Sequence, residues 1–107
     1  MDEIDRSALD AQTGGDRELA REVLGLFAAE CRSLLHAAAD VRAGPVARAD
    51  AAHTLKGAAA GIGAARVRAL ADVAEARLRS GDPGSEEAVA ALARAAEAAL
   101  DEIAREG

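Results

Sequence analysis

The sequence predicts an all-α fold, an antiparallel up-down-up-down four-helix bundle with a short extra helix at its N-terminus. Alanine, the strongest helix former, occurs 31 times against 11 Leu, 6 Val, 3 Ile and one Phe, so strand-favouring residues are scarce. Apolar residues recur every three and four positions between short breaks, a pattern typical of amphipathic helices that share one core. At 107 residues, the chain is expected to form one domain over 1–107.

Glycine, proline and capping residues mark the ends of the predicted helices, which span 5–13, 17–42, 45–62, 64–80 and the segment after 85. Asp5, Asp16 and Ser85 are the predicted N-caps. Cys31 lies on the apolar stripe of the long second helix and is interpreted as a packed core thiol. His36 falls about 180° from Phe27 on that helix, which predicts a surface histidine. No metal-ligand spacing surrounds it.

Composition excludes several classes of function. The net charge is -6, and acidic and basic residues are mixed, so the basic face that nucleic acids require is absent. No apolar run approaches the roughly 20 residues of a membrane span. The acidic N-terminus without an apolar signal core, and the single cysteine, predict a cytoplasmic protein. A monomer is the expected state for such a bundle.

The third predicted helix carries three unusual residues close together. His53 is one of two histidines, and Lys56 is the only lysine among 13 basic residues. Gly57 stands inside a helix, where glycine costs about 1 kcal/mol relative to alanine. This concentration indicates a site.

A helical wheel separates the two faces of this segment. Leu55 and Ile62 lie at about 200° and 180° from His53, so the histidine is predicted to face solvent. An exposed imidazole, largely neutral at pH 7, can act as a nucleophile. Lys56, one turn on, could supply charge to an arriving phosphoryl group, and Gly57 would leave room for it.

The motif His53-x-Leu55-Lys56-Gly57-Ala58-Ala59-x-x-Ile62-Gly63-Ala64 resembles the signature of the histidine-containing phosphotransfer (HPt) domain family. The turn Gly14-Gly15-Asp16 and the pair Leu26-Phe27 are also similar to family features. Two positions depart from the pattern: the family often has Ser at Ala58, and Asn or another larger residue at Gly61.

The resemblance implies a four-helix bundle that carries a phosphoryl group on His53, supported by Lys56 and Gly57, in a multistep two-component phosphorelay. It implies receiver domains of response regulators, or of a hybrid histidine kinase, as partners. The chain is then a carrier and not an enzyme, with no cofactor of its own, and Mg²⁺ is expected in the partner receiver. The residues expected to line the docking surface are Leu26, Glu30, Ser33, Ala49, Ala60 and Arg66.

Two other hypotheses remain. The same small-residue face could belong to a helical adaptor, or to a degenerate HPt domain, that binds a receiver or kinase domain without phosphotransfer. A metal or cofactor bundle is disfavoured because inward-facing ligands are absent from the pattern.

Overall fold

A computed structural model describes residues 2–106, which form five helices: α1 (Arg6–Thr13), α2 (Arg17–Ala39), α3 (Pro45–Gly61), α4 (Ala65–Ser80) and α5 (Ser85–Glu106). Helices α2, α3 and α4 each pack on the helix that follows, and α2 also contacts α5, so these four helices close a ring around one core. The short α1 packs on α2. The predicted four-helix bundle with an extra N-terminal helix is confirmed. No helix within residues 2–106 is long and apolar enough to cross a membrane.

Most of the predicted helix ends are confirmed, and the caps explain them. The carboxylates of Asp5 and Asp16 accept hydrogen bonds from the backbone N–H groups of Ala8 and Leu19, at 3.2 and 3.1 Å. Gly14 ends α1 with a φ of 64°, in the left-handed region that favours glycine.

Two predicted ends are wrong. Helix α2 ends at Ala39 and not at Arg42, because Asp40 leaves the helical conformation and its carboxylate accepts from the N–H of Arg42 at 3.0 Å. Ser85 does not cap α5 with its hydroxyl. That hydroxyl donates to the carbonyl of Asp82 at 2.6 Å, and the carbonyl of Gly84 accepts the first helical hydrogen bond.

Small residues dominate the core. More than half of the buried hydrophobic residues within 2–106 are alanine, so the helices pack over small side chains. The largest fully buried side chains are Ile4, Leu9, Leu55, Leu92, Val67 and Cys31. Burial also raises the pKa of the Cys31 thiol to about 11, so it is a packed thiol as predicted.

The N-terminal segment braces the turn between α3 and α4. The N–H of Asp5 donates to the carbonyl of Gly63 at 2.9 Å. Gly63 has a φ of 75°, and a Cβ there would lie 2.9 Å from the carbonyl oxygen of Asp5. Only glycine fits this close approach. The C-terminal end of the helix that carries His53 is therefore fixed.

A second brace holds the N-terminal end of α3. Arg48 is buried, and its Nε donates to the carbonyl of Ala38 at 2.8 Å, near the end of α2. Its two terminal nitrogens donate to the two carboxylate oxygens of Glu86, at 2.8 and 2.7 Å. Arg48 therefore joins α2, α3 and α5, and its bidentate pair with Glu86 holds the pKa of Glu86 below its usual range.

Candidate functional site

His53 lies near the middle of α3, on the face that turns away from the core. Its side chain is 61% exposed, whereas Leu55 is fully buried and Ile62 is 3% exposed. The structure agrees with the predicted orientation of the helix. Because both ends of α3 are braced, the imidazole is held on a rigid element.

An unpredicted carboxylate, Glu75 of α4, lies against the imidazole. Both of its oxygens are 3.1 Å from Nδ1 of His53. The Glu75 side chain is only 12% exposed, because it lies between α3 and α4. The two residues are 22 positions apart, so no local pattern could pair them. The available signal was the row of charged residues Asp72, Glu75 and Arg79 at helical spacing on α4.

Lys56 does not extend freely towards solvent. Its ammonium donates to Glu75 at 2.9 Å and to Asp72 at 3.1 Å. These hydrogen bonds, the one to Glu75 first, raise the pKa of Lys56. The lysine therefore joins α3 to α4 in the resting protein, and its support of a phosphoryl group stays a prediction.

Arg79 approaches Glu75 from the other side. Its Nε and Nη2 lie 3.0 and 2.9 Å from one oxygen of Glu75, and Nη2 also donates to Asp50 of α3 at 3.1 Å. The hydrogen bond from Lys56 does most to lower the pKa of Glu75. Burial raises this pKa, and the hydrogen bonds from His53 and Arg79 lower it further. Together they lower the pKa of Glu75 to about 2.

The ionised Glu75 determines which nitrogen of His53 carries the proton. A carboxylate only accepts hydrogen bonds, so Nδ1 must be the donor. In the neutral ring, the lone pair then resides on Nε2. Within residues 2–106, Nε2 has no hydrogen-bond partner. The arrangement presents one nucleophilic nitrogen at the surface and holds the proton on the other.

A shallow apolar groove of about 250 Å³ runs beside this site, between α2 and α3. Gly57 belongs to it, and apart from its chain neighbours and the backbone of α3, no atom lies within 4 Å of where its Cβ would stand. The glycine therefore leaves open space on the turn after His53. The groove is lined by Val23, Leu26, Phe27, Glu30, Gly57, Ala58, Gly61 and Ile62.

Of the six residues predicted to form a docking surface, two line the groove, three are exposed outside it and one is buried. Leu26, 70% exposed, and Glu30 line the groove. Ser33, Ala60 and Arg66 are exposed but outside the groove, and the Nε of Arg66 lies 3.6 Å from the carboxylate of Glu3.

Ala49 was predicted incorrectly, since it is fully buried. Helix α3 is flanked by both α2 and α4, so its buried arc is wider than the wheel indicated and includes this residue. Ala49 cannot contact a docked partner.

His36 is exposed on α2, as predicted. Within residues 2–106, no three His, Cys, Asp or Glu side chains are grouped as metal ligands would be.

Comparison with known proteins agrees with the motif around His53. The family model of the Hpt domain matches residues 22–106, which include α3, α4, α5 and most of α2. No curated protein and no solved structure matches the chain. Hpt domains are phosphocarrier modules of two-component signalling that interact with receiver or kinase partners, and are not enzymes. The match spans most of the chain, which therefore belongs to the Hpt domain family.

Proposed function

We propose that this protein is a phosphoryl carrier of a multistep phosphorelay, in which His53 shuttles the group between aspartates of receiver domains. The observation that supports this most directly is the geometry of the imidazole. Nδ1 is held by Glu75, and Nε2 has no partner within residues 2–106. The ring is also 61% exposed on a rigid helix.

In the proposed transfer, the Nε2 lone pair attacks the phosphorus of an aspartyl phosphate. The N–P bond forms as the P–O bond breaks, and the aspartate leaves as a carboxylate. The Nδ1 proton stays on the ring, which becomes positively charged. Glu75, 3.1 Å from Nδ1, stabilises this charge. Attack by a second receiver aspartate on phosphorus reverses the step and restores the neutral imidazole.

The charges around His53 indicate what the partner must supply. Lys56 and Arg79 are already engaged by Glu75, Asp72 and Asp50. This cluster therefore offers little spare positive charge to a phosphoryl group. The receiver, with its own Mg²⁺, should neutralise most of the charge that is transferred. Lys56 could still assist, because its partner Asp72 is 68% exposed and that contact is easily exchanged.

The groove beside Gly57 is the proposed docking site for the receiver. Leu26 offers exposed apolar area there, and Glu30 adds a charge at the rim. Ser33, Ala60 and Arg66 would form an outer contact zone. A partner that filled the groove would cover the open side of Gly57 and bring its aspartate to Nε2.

Phosphotransfer from a labelled receiver tests the proposal. The protein is mixed with phosphorylated receiver domains of its host and Mg²⁺, and acid-labile, base-stable label is measured. Wild type and His36→Gln should accept the label, and His53→Gln should accept none. His36 is the matched control because it is the other exposed histidine. Labelling of His53→Gln would refute the site. Receiver binding without any transfer would indicate the adaptor alternative.

A further inference from the structure

Arg79 has no part in the family-like motif, yet it completes the cluster around His53. Within residues 2–106, it is the one side chain that contacts both Glu75 on its own helix and Asp50 on α3, at 2.9 and 3.1 Å. Asp50 precedes His53 by three residues, and Glu75 precedes Arg79 by four. The guanidinium thus spans the two helices on the side of Glu75 opposite Lys56.

The two cations hold different oxygens of the same carboxylate. Lys56 takes Oε1 at 2.9 Å, and Arg79 takes Oε2 through two nitrogens at 2.9 and 3.0 Å. Both oxygens are equally far from Nδ1 of His53, at 3.1 Å. The carboxylate is therefore fixed with both oxygens towards the imidazole, and rotation of the group would break a contact with a cation.

We propose that Arg79 is a positioning residue for His53: it fixes Glu75 so that Nδ1 keeps the proton and Nε2 is the reacting nitrogen. This inference rests on the proposed function for its effect on transfer. Lys56 alone would hold only one oxygen of Glu75 and would leave the other free to turn away. Arg79 removes that freedom because its Nε and Nη2 both hold Oε2, and Nη2 also reaches Asp50 on the helix that carries the histidine.

Nitrogen NMR of the unphosphorylated protein tests the inference without any partner. In protein with ¹⁵N-labelled histidine, two-bond correlations at alkaline pH report which ring nitrogen carries the proton. We expect the Nδ1–H form to dominate for His53 in the wild type. Arg79→Met should move the population towards the Nε2–H form, and Arg79→Lys should restore part of it. Arg94→Met, which removes an exposed arginine of α5, should leave it unchanged.

Transfer rates provide the second measurement. Arg79→Met should slow transfer from a phosphorylated receiver about tenfold, as losing an orienting partner does for metal-binding histidines, while receiver affinity stays unchanged. An unchanged tautomer population in Arg79→Met would overturn the inference, even if its helical content and thermal stability fell.

The failure of this inference and the failure of the proposed function can be told apart. A tautomer shift in Arg79→Met, with no transfer to wild type, would support the positioning role and refute the carrier. Normal transfer to wild type, with no tautomer shift in the variant, would refute only the positioning role.

Discussion

Helix α3 carries two hydrogen-bond networks on different faces, one around Arg48 and one around His53. They differ in whether every nitrogen of the central side chain has a partner within the protein. The side chain of Arg48 is 8% exposed, and its donors reach the carbonyl of Ala38 and both oxygens of Glu86. His53, five residues later, is 61% exposed and donates through one nitrogen only. The donors of Arg48 all bond to acceptors within the protein. In the network through Glu75, by contrast, Nε2 of His53 is left at the surface as a nucleophile.

The comparison shows how two similar networks serve different ends. Both join α3 to another helix through a carboxylate. At Arg48, the hydrogen-bonding groups are paired with one another, so the network contributes to stability and offers no free polar atom to a docking protein. At His53, Lys56 and Arg79 satisfy the carboxylate, and the carboxylate in turn directs the imidazole. The site is therefore a stabilising network with one outward atom.

The largest effect on stability should come from the network around Arg48. Arg48→Met removes the donor from the carbonyl of Ala38 and leaves Glu86 without its partner. We expect the free energy of unfolding to fall by about 1–3 kcal/mol, measured by urea denaturation. His53→Gln should change it by less than about 0.5 kcal/mol, as exposed substitutions do. Folded Arg48→Met should still accept phosphoryl groups at the wild-type rate. A slower rate would mean that the two faces are coupled.

Acid should lower the free energy of unfolding of the wild type more than that of a variant that lacks the Glu75 carboxylate. The folded pKa of Glu75 is about 2, below its ordinary value of 4.5, so its contribution is present above pH 4.5 and is lost as pH falls towards 2. We expect a loss of about 1–2 kcal/mol over this range, after allowance for solvent screening.

Denaturation of wild type and Glu75→Gln between pH 5 and 2 measures this loss, which should be smaller in the variant. Asp72→Asn, which alters a 68% exposed partner of Lys56, should follow the wild type. Equal pH profiles for wild type and Glu75→Gln would contradict the account.

Gly57→Ala should have a small effect on stability, and the sign of that effect should be opposite to its effect on function. Gly57→Ala should raise the free energy of unfolding by about 0.5–1 kcal/mol, since alanine favours the helix and the space is open. It should also weaken receiver binding, because the methyl group intrudes on the docking groove.

Gly25→Ala is the matched control for that variant, because Gly25 is also inside a helix with open space at its Cβ position. It should stabilise the protein similarly and leave binding unchanged, as isothermal titration with a receiver would show. Equal affinities for both variants would mean that the partner does not approach Gly57.

Features that depend on local periodicity were predictable from the sequence. The apolar stripes located the helices, and the wheel placed His53 on the outer face of α3. The end of α2 was not predictable, because nothing in the sequence around Asp40 and Arg42 outweighs their helix propensity. Glu75 was missed for a different reason: its contact depends on the rotation and height of α4 relative to α3. Ala49 failed because a wheel shows one core face, and two neighbours bury a wider arc.

The central claim is that Nε2 of His53 accepts the phosphoryl group while Nδ1 keeps its proton against Glu75. Phosphorus–nitrogen correlation NMR tests it directly, on protein with ¹⁵N-labelled histidine that has been phosphorylated by a receiver. We predict a single phosphorus signal coupled to Nε2 of His53, with Nδ1 protonated. Phosphorus coupled to Nδ1, or carried by any other residue, would contradict the account.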